Sequence, residues 1–117
     1  MRIQSLDHLV LTVRDLGATI AFYEELGMTH EVFGDDRHAL RFGSQKINLH
    51  EAGREFEPHA DKPLPGSADL CFLVDELDTK RLEVVEGPVE REGAAGLLTS
   101  VYVRDPDGNL VELATRR

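Results

Sequence analysis

The chain has 117 residues, enough for one hydrophobic core and too few for two independent ones. Its formal net charge of −9 excludes a nucleic-acid binder, which needs a basic surface to neutralise phosphates. It leaves two uses for the acidity: keeping the protein dispersed in water, or holding a cationic ligand.

With 41% apolar and 30% charged residues the composition is that of an ordinary globular domain. No apolar run approaches the roughly 20 residues of a membrane span, and the N-terminal MRIQSLDHL has no signal-peptide core. The single cysteine, Cys71, has no internal disulfide partner, so a reducing cytoplasm is the expected compartment. Its apolar neighbours predict a small buried side chain and not a nucleophile.

Leu6 to Val13 reads as a strand, with Leu9, Leu11 and Val13 on one face and Leu6, His8, Val10 and Thr12 on the other. Asp15 then caps a helix running to about Leu26, and Gly27 is its stop. Leu16, Ile20, Tyr23 and Leu26 form an apolar stripe that should cover the Leu9/Leu11/Val13 face. Three short strands follow, Thr29–Phe33, Arg37–Phe42 and Lys46–Glu51, joined by Gly34-Asp35-Asp36 and Gly43-Ser44-Gln45.

Residues 52–67 form a Pro- and Gly-bearing connector packed by Phe56. A second cycle then begins: a strand at Ala68–Val74, a short helix at Asp75–Val84, and strands at Gly87–Glu92, Leu98–Arg104 and Asn109–Thr115. Asp105-Pro106-Asp107-Gly108 supplies a tight turn between the last two. The expected fold is α+β, a single domain of two tandem βαβββ modules (about 5–52 and 68–115) forming a curved mixed sheet with a concave cavity.

Alternation places His8, Asn48, His50, Asp69 and Glu112 on the concave face. A carboxylate aimed there, such as Glu112 between Val111 and Leu113, costs several kcal/mol unless something positive meets it. Imidazole nitrogens and carboxylate oxygens converging from separate strands are what a borderline divalent metal needs, and a two-His, one-carboxylate set leaves positions open for substrate. The plainer alternative is that each is an ordinary strand residue, with Glu112 paired to Arg104 across the hairpin. His30, His38 and His59 are expected to be ordinary, the last two solvated. The concave strands read as poor in Lys and Arg.

The runs LDHLVLTVRDL (6–16), FYEELGM (22–28) and RDPDGNLVELA (104–114) resemble the vicinal oxygen chelate superfamily, the glyoxalase/bleomycin-resistance/dioxygenase fold. FGSQKINLHEAGREFEP (42–58) is similar to a subgroup of small glyoxalase-domain proteins. The resemblance covers nearly the whole chain. It implies that His8 and Glu112 are metal ligands, that Asn48 stands where relatives carry Glu or Gln, and that Asp69 stands where many carry His. His8, His50 and Glu112 are therefore the favoured metal set, with Asp69 and Asn48 as further candidates. The implied cofactor is one divalent ion per site: Fe, Mn, Ni, Co or Zn. The implied chemistry is Lewis-acid stabilisation of an enediolate or similar anion on a small substrate, by a glyoxalase-like lyase, an isomerase or a dioxygenase. Glu112 would also shuttle a proton, and Asn48, Tyr102 and Arg104 would contact substrate. A homodimer with shared sites is implied too. The competing reading is a non-catalytic protein that sequesters a cationic antibiotic, as bleomycin-resistance proteins of this fold do. The crossover at Asp75–Gly87 is several residues shorter than the family's usual one.

Overall fold

The computed structural model describes all 117 residues, in two compact units, Met1–Pro65 and Gly66–Arg117. The first unit runs β1 (His8–Val13), α1 (Leu16–Glu25), β2 (Thr29–Phe33), β3 (Arg37–Phe42) and β4 (Gln45–Glu51). Its four-stranded sheet has the order β1-β4-β3-β2, with β1 parallel to β4 and the other pairs antiparallel. The Asp15 carboxylate accepts a 3.0 Å hydrogen bond from the Ala18 amide, satisfying one of the free N–H groups at the start of α1. Gly27, at φ +95°, ends the helix in a backbone region that L side chains avoid.

Leu11, Val13, Leu40, Ile47 and Leu49 are buried on one sheet face, and Thr19 and Tyr23 are the buried residues of α1, which packs against β2 and β3. Each such apolar side chain contributes about 1.5–3 kcal/mol by leaving water, so this face sets the sheet's orientation. Val10, between the half-buried Leu9 and the buried Leu11, is exposed on the other face. The expected division of the first strand into two faces is what the structure has.

The second unit runs β5 (Asp69–Leu73), β6 (Glu86–Gly93), β7 (Gly96–Arg104) and β8 (Leu110–Arg116), in the order β5-β8-β7-β6, with β5 parallel to β8. The strand pattern of the first unit is thus repeated. The helix expected over Asp75–Val84 does not form; the segment is a series of turns. The Asp75 carboxylate accepts from the Glu76 amide (2.8 Å), Asp78 from the Lys80 amide (3.2 Å), and the Leu82 amide donates to the Thr79 carbonyl (3.1 Å). Aspartates that bond the nearby backbone compete with helix, and a segment this short has too little apolar face to recover nucleation through packing.

The turn between β7 and β8 is built on Asp105, which is buried. Its Oδ1 accepts from the amides of Asp107 (2.9 Å) and Asn109 (3.0 Å), and its Oδ2 accepts from Asn109 Nδ2 (2.8 Å). The Asn109 side-chain oxygen then accepts from the Ala68 amide at 2.8 Å, so the turn also fixes the entry to β5. Gly66 passes so close that a Cβ there would lie 2.5 Å from the Asp107 carbonyl oxygen.

Candidate functional site

On the first unit's sheet face away from the Leu11/Val13/Ile47/Leu49 core, the parallel register sets His8 opposite Lys46, Val10 opposite Asn48 and Thr12 opposite His50. His8 Nδ1 lies 2.8 Å from the Asp7 carboxylate, and the His8 side chain keeps 41% of its surface exposed. The contact holds the Asp7 carboxyl below its usual range, mainly through the hydrogen bond to His8. It leaves Nε2 as the ring's outward nitrogen, an orientation common among metal-bound histidines. Asn48 is one diagonal step from His8 on the neighbouring strand, and its Oδ1 is buried with no hydrogen-bond partner. A buried amide oxygen left this way costs about 1–3 kcal/mol, which makes it a candidate donor to an occupant.

His50 lies four residues along β4 from Lys46, the position facing His8. At about 3.3 Å per residue that is about 13 Å, with both side chains standing perpendicular to the sheet. His8 and His50 therefore do not converge. His50 is buried instead beside Phe56 (ring centroids 5.6 Å apart, 66° between planes), and the Arg37 guanidinium lies 4.2 Å from the centre of the same Phe56 ring. Burial first and Arg37 second lower the His50 pKa, which favours the neutral imidazole.

His50 lines a cavity of about 480 Å³ with Val10, Thr12, Pro58 and His59. His59 lines the same cavity as His50 while staying exposed, as its loop position suggests. Its Nδ1 lies 2.9 Å from the Ala60 carbonyl oxygen, and that bond is the main cause of its raised pKa. The face is also more basic than expected, carrying Arg37, Arg41 and Lys46. Each is engaged: Arg41 with Glu31 at 2.7 Å, Lys46 with the Phe33 ring at 3.9 Å, and Arg37 with Phe56.

In the second unit Glu112 faces Cys71 on β5 and Tyr102 on β7. Ser100 Oγ donates to Glu112 Oε2 at 2.6 Å, and Cys71 stands opposite Glu112 on the neighbouring strand. Cys71 is exposed on this face, not buried in an apolar core as its neighbours imply. Partial desolvation, followed by the charge and hydrogen bond of Glu112, pushes its thiol up to about 11. It is therefore protonated and unreactive near neutrality.

Asp69 is exposed on the Glu112 side of β5, opposite Leu110 and one diagonal step from Glu112. Tyr102 accepts a 3.0 Å hydrogen bond at its hydroxyl from Arg91, which also pairs with Glu86 at 2.8 Å. Arg104 does not pair with Glu112; its Nη1 donates to the Gly108 carbonyl at 3.2 Å and braces the turn. Glu112, Cys71, Arg91 and Arg116 line a cavity of about 350 Å³ whose apolar wall includes Leu73 and Leu98. Arg91 escapes sequence reasoning because it stands opposite Leu98, four residues along β7 from the Tyr102 whose hydroxyl it reaches.

The glyoxalase family, described as the glyoxalase/bleomycin resistance protein/dioxygenase superfamily, matches residues 5–113. The chain belongs to this superfamily. It is 54% identical to virulence protein STM3117 of Salmonella typhimurium over 97% of this chain and 85% of that protein. It is 53% identical to glyoxalase domain-containing protein RDO1 of Mycosarcoma maydis over 98% of this chain and 70% of that one. The crystal structure of STM3117 superposes with a TM-score of 0.95, at 51% identity, over the whole of both chains. The fold is thus the vicinal oxygen chelate fold, with a mixed four-stranded sheet in each module.

Superfamily members are often metal-dependent, so the donors must be tested against a metal. No three His, Cys, Asp or Glu side chains are grouped here as a ready metal cluster. Taken by unit, the first offers donors of the kind a borderline divalent ion takes, an oriented imidazole at His8 and an unpartnered buried amide oxygen at Asn48, and the second offers a carboxylate at Glu112.

Proposed function

We propose that this superfamily member is a metal-dependent enzyme, a glyoxalase-like lyase or isomerase or a dioxygenase, acting on a small oxygen-rich molecule. The observation that carries the reading is the buried, unpartnered Asn48 Oδ1 beside an oriented His8 on the adjacent strand. The first unit would supply His8 and Asn48 as donors, and the second Glu112, with Asp69 as a further carboxylate. The ion would be Fe, Mn, Ni, Co or Zn. His50, too far along β4 to join His8, would face substrate in its own cavity. A homodimer in the cytoplasm completes the proposal.

A bound divalent ion supplies Lewis-acid polarisation of a substrate oxygen. The chain's own residues do the rest. Asp7 holds the His8 ring in orientation through Nδ1. Ser100 fixes the Glu112 carboxylate, whose oxygen takes a proton from one substrate position and returns it to another. Arg91 lines the cavity and holds the Tyr102 hydroxyl, while Leu73 and Leu98 exclude water from the apolar part of the substrate.

The net charge of −9 favours a second reading, a binder that sequesters a cationic antibiotic. The test is a turnover screen of metal-reconstituted protein with 2-oxoaldehyde–thiol adducts and then catechols, beside His8→Ala. Turnover abolished in His8→Ala is expected. No turnover with any of them, together with tight binding of a cationic antibiotic by metal-free protein, would replace the enzyme by the binder.

A further inference from the structure

The cavity of the first unit has a polar end whose hydrogen-bonding groups the protein itself leaves unused. His50 is 9% exposed and lines this space of about 480 Å³, yet neither of its ring nitrogens has a hydrogen-bond partner in the chain. Buried polar side chains ordinarily find one, which makes His50 a candidate donor to an occupant. The register sets Thr12 opposite His50 on one side, and one step on from the His38–Leu49 pair brings Arg37 beside it on the other. Thr12, His50 and Arg37 thus form one row across β1, β4 and β3, on the face that carries Asn48. Arg37 and His50 also meet on Phe56: the guanidinium carbon lies 4.2 Å from the centre of that ring and the imidazole centre 5.6 Å.

Arg37 is half-buried, and apart from this stacking its guanidinium makes no hydrogen bond or ion pair. Arg41 and Arg91, by contrast, are tied to Glu31 and Glu86. Stacking on an aromatic face leaves the edge of a guanidinium, where its N–H groups lie, open to a planar acceptor. The nearby acids are already committed. Glu55 accepts from the Gly53 amide at 2.7 Å, and Glu57 lies 3.3 Å from His59 Nε2. One cation is therefore left without an acidic partner, which matches a monoanion. A phosphate, close to a dianion at neutral pH, would be repelled by Glu55 and Glu57 with only Arg37 to offset them. Val10, Pro58 and Pro63 give the rest of the cavity an apolar wall.

We propose that Arg37 and His50 form a binding site for the carboxylate of a small organic acid, whose apolar body lies against Val10, Pro58 and Pro63. Arg37 takes both carboxylate oxygens along its edge, and His50 gives a ring N–H to one of them. An imidazole has at least one N–H to give in either protonation state. In making this acid the substrate the proposal rests on the enzymatic reading; as a binding site it stands alone, and metal-free protein tests it alone.

The test is NMR and calorimetric titration of metal-free, full-length protein with propionate, isobutyrate and benzoate, each beside its uncharged primary amide, and with inorganic phosphate. At least one acid should shift the backbone signals of 10–12, 37, 50 and 56–63, and bind more than tenfold tighter than its amide and than phosphate. Arg37→Gln should weaken that acid more than tenfold and bring it level with its amide. Arg37→Lys, which keeps the charge and loses the planar fork, should also weaken it; spectra unchanged away from the site show that both variants are folded. No acid shifting these signals, an amide or phosphate binding as tightly as its acid, or affinity undiminished in folded Arg37→Gln would each overturn the proposal. With no metal present, such a failure leaves the His8/Asn48/Glu112 reading standing, and an absence of turnover leaves this site standing.

Discussion

Cys71 and Glu112 illustrate how two neighbouring residues set each other's chemistry. Partial desolvation first and the Glu112 charge second push the thiol up to about 11, so the thiolate is scarce at pH 8. Alkylation of the native protein by iodoacetamide at pH 8 should therefore run about 100-fold slower than in denaturant. Equal rates would show that the fold does not raise the thiol. His50 makes the complementary case. Its folded pKa is lowered from 6.5 by burial, so the unfolded chain binds the extra proton first as pH falls. The stabilisation is whole above pH 6.5 and is lost as pH drops from there towards the lowered folded value. Acidification from pH 7.5 to 5.5 should lower the Tm of the native chain by more than that of His50→Gln; an equal fall in both would remove His50 as the cause.

Sequence could identify these residues but only partly place them. Alternation along β1 and β4 puts His8, Asn48 and His50 on one face, as the structure has them. Their positions along the parallel pair are another matter, because no turn ties β1 to β4 and the offset is fixed only by packing across α1, β2 and β3. That is why His50 could be grouped with His8 although the register sets it about 13 Å further along. The contact between His30 Nε2 and His38 Nδ1, 2.9 Å apart, was within reach. Arg37 opposite Phe33 follows from the short turn at Gly34-Asp35-Asp36, and counting back from it brings the two histidines to diagonal positions.

At the scale of the element, the β7–β8 hairpin is the best-determined piece of the chain, because its turn residues, strand pattern and hydrogen bonds all agree. Asp105 concentrates that agreement in one buried carboxylate. Asp105→Ala should destabilise the protein by about 2–3 kcal/mol, since it strips three donors of their acceptor. Asp35→Ala, at an exposed turn, should stay within about 0.5 kcal/mol of the native chain. Denaturant unfolding of the two variants checks both values, and comparable losses would contradict the role given to Asp105. The segment after β5 shows the opposite situation. A helical reading of Asp75–Val84 rested on a few apolar residues, and the aspartates there bond the local backbone instead. Local hydrogen bonding won over a weak helical period.

At the scale of the whole molecule, the donors are divided between the two units: His8 and Asn48 in Met1–Pro65, Asp69 and Glu112 in Gly66–Arg117. No helix is long and apolar enough to cross a membrane. The strand repeat in each unit gives the superfamily its two halves, and the repeat was legible because turn residues punctuate the strands at similar intervals. What the repeat could not convey was the state of each donor: His8 oriented by Asp7, Glu112 held by Ser100, Asn48 buried without a partner. Those states carry the central claim, that this chain holds a catalytic divalent ion through His8, Asn48 and Glu112. The measurement that tests it most directly is elemental analysis of protein purified without chelator. About one metal per chain, lost in both His8→Ala and Glu112→Ala and reduced in Asn48→Ala, is the predicted result. Metal that persists unchanged in His8→Ala, or none bound even after reconstitution with Fe, Mn, Ni, Co and Zn, would contradict it.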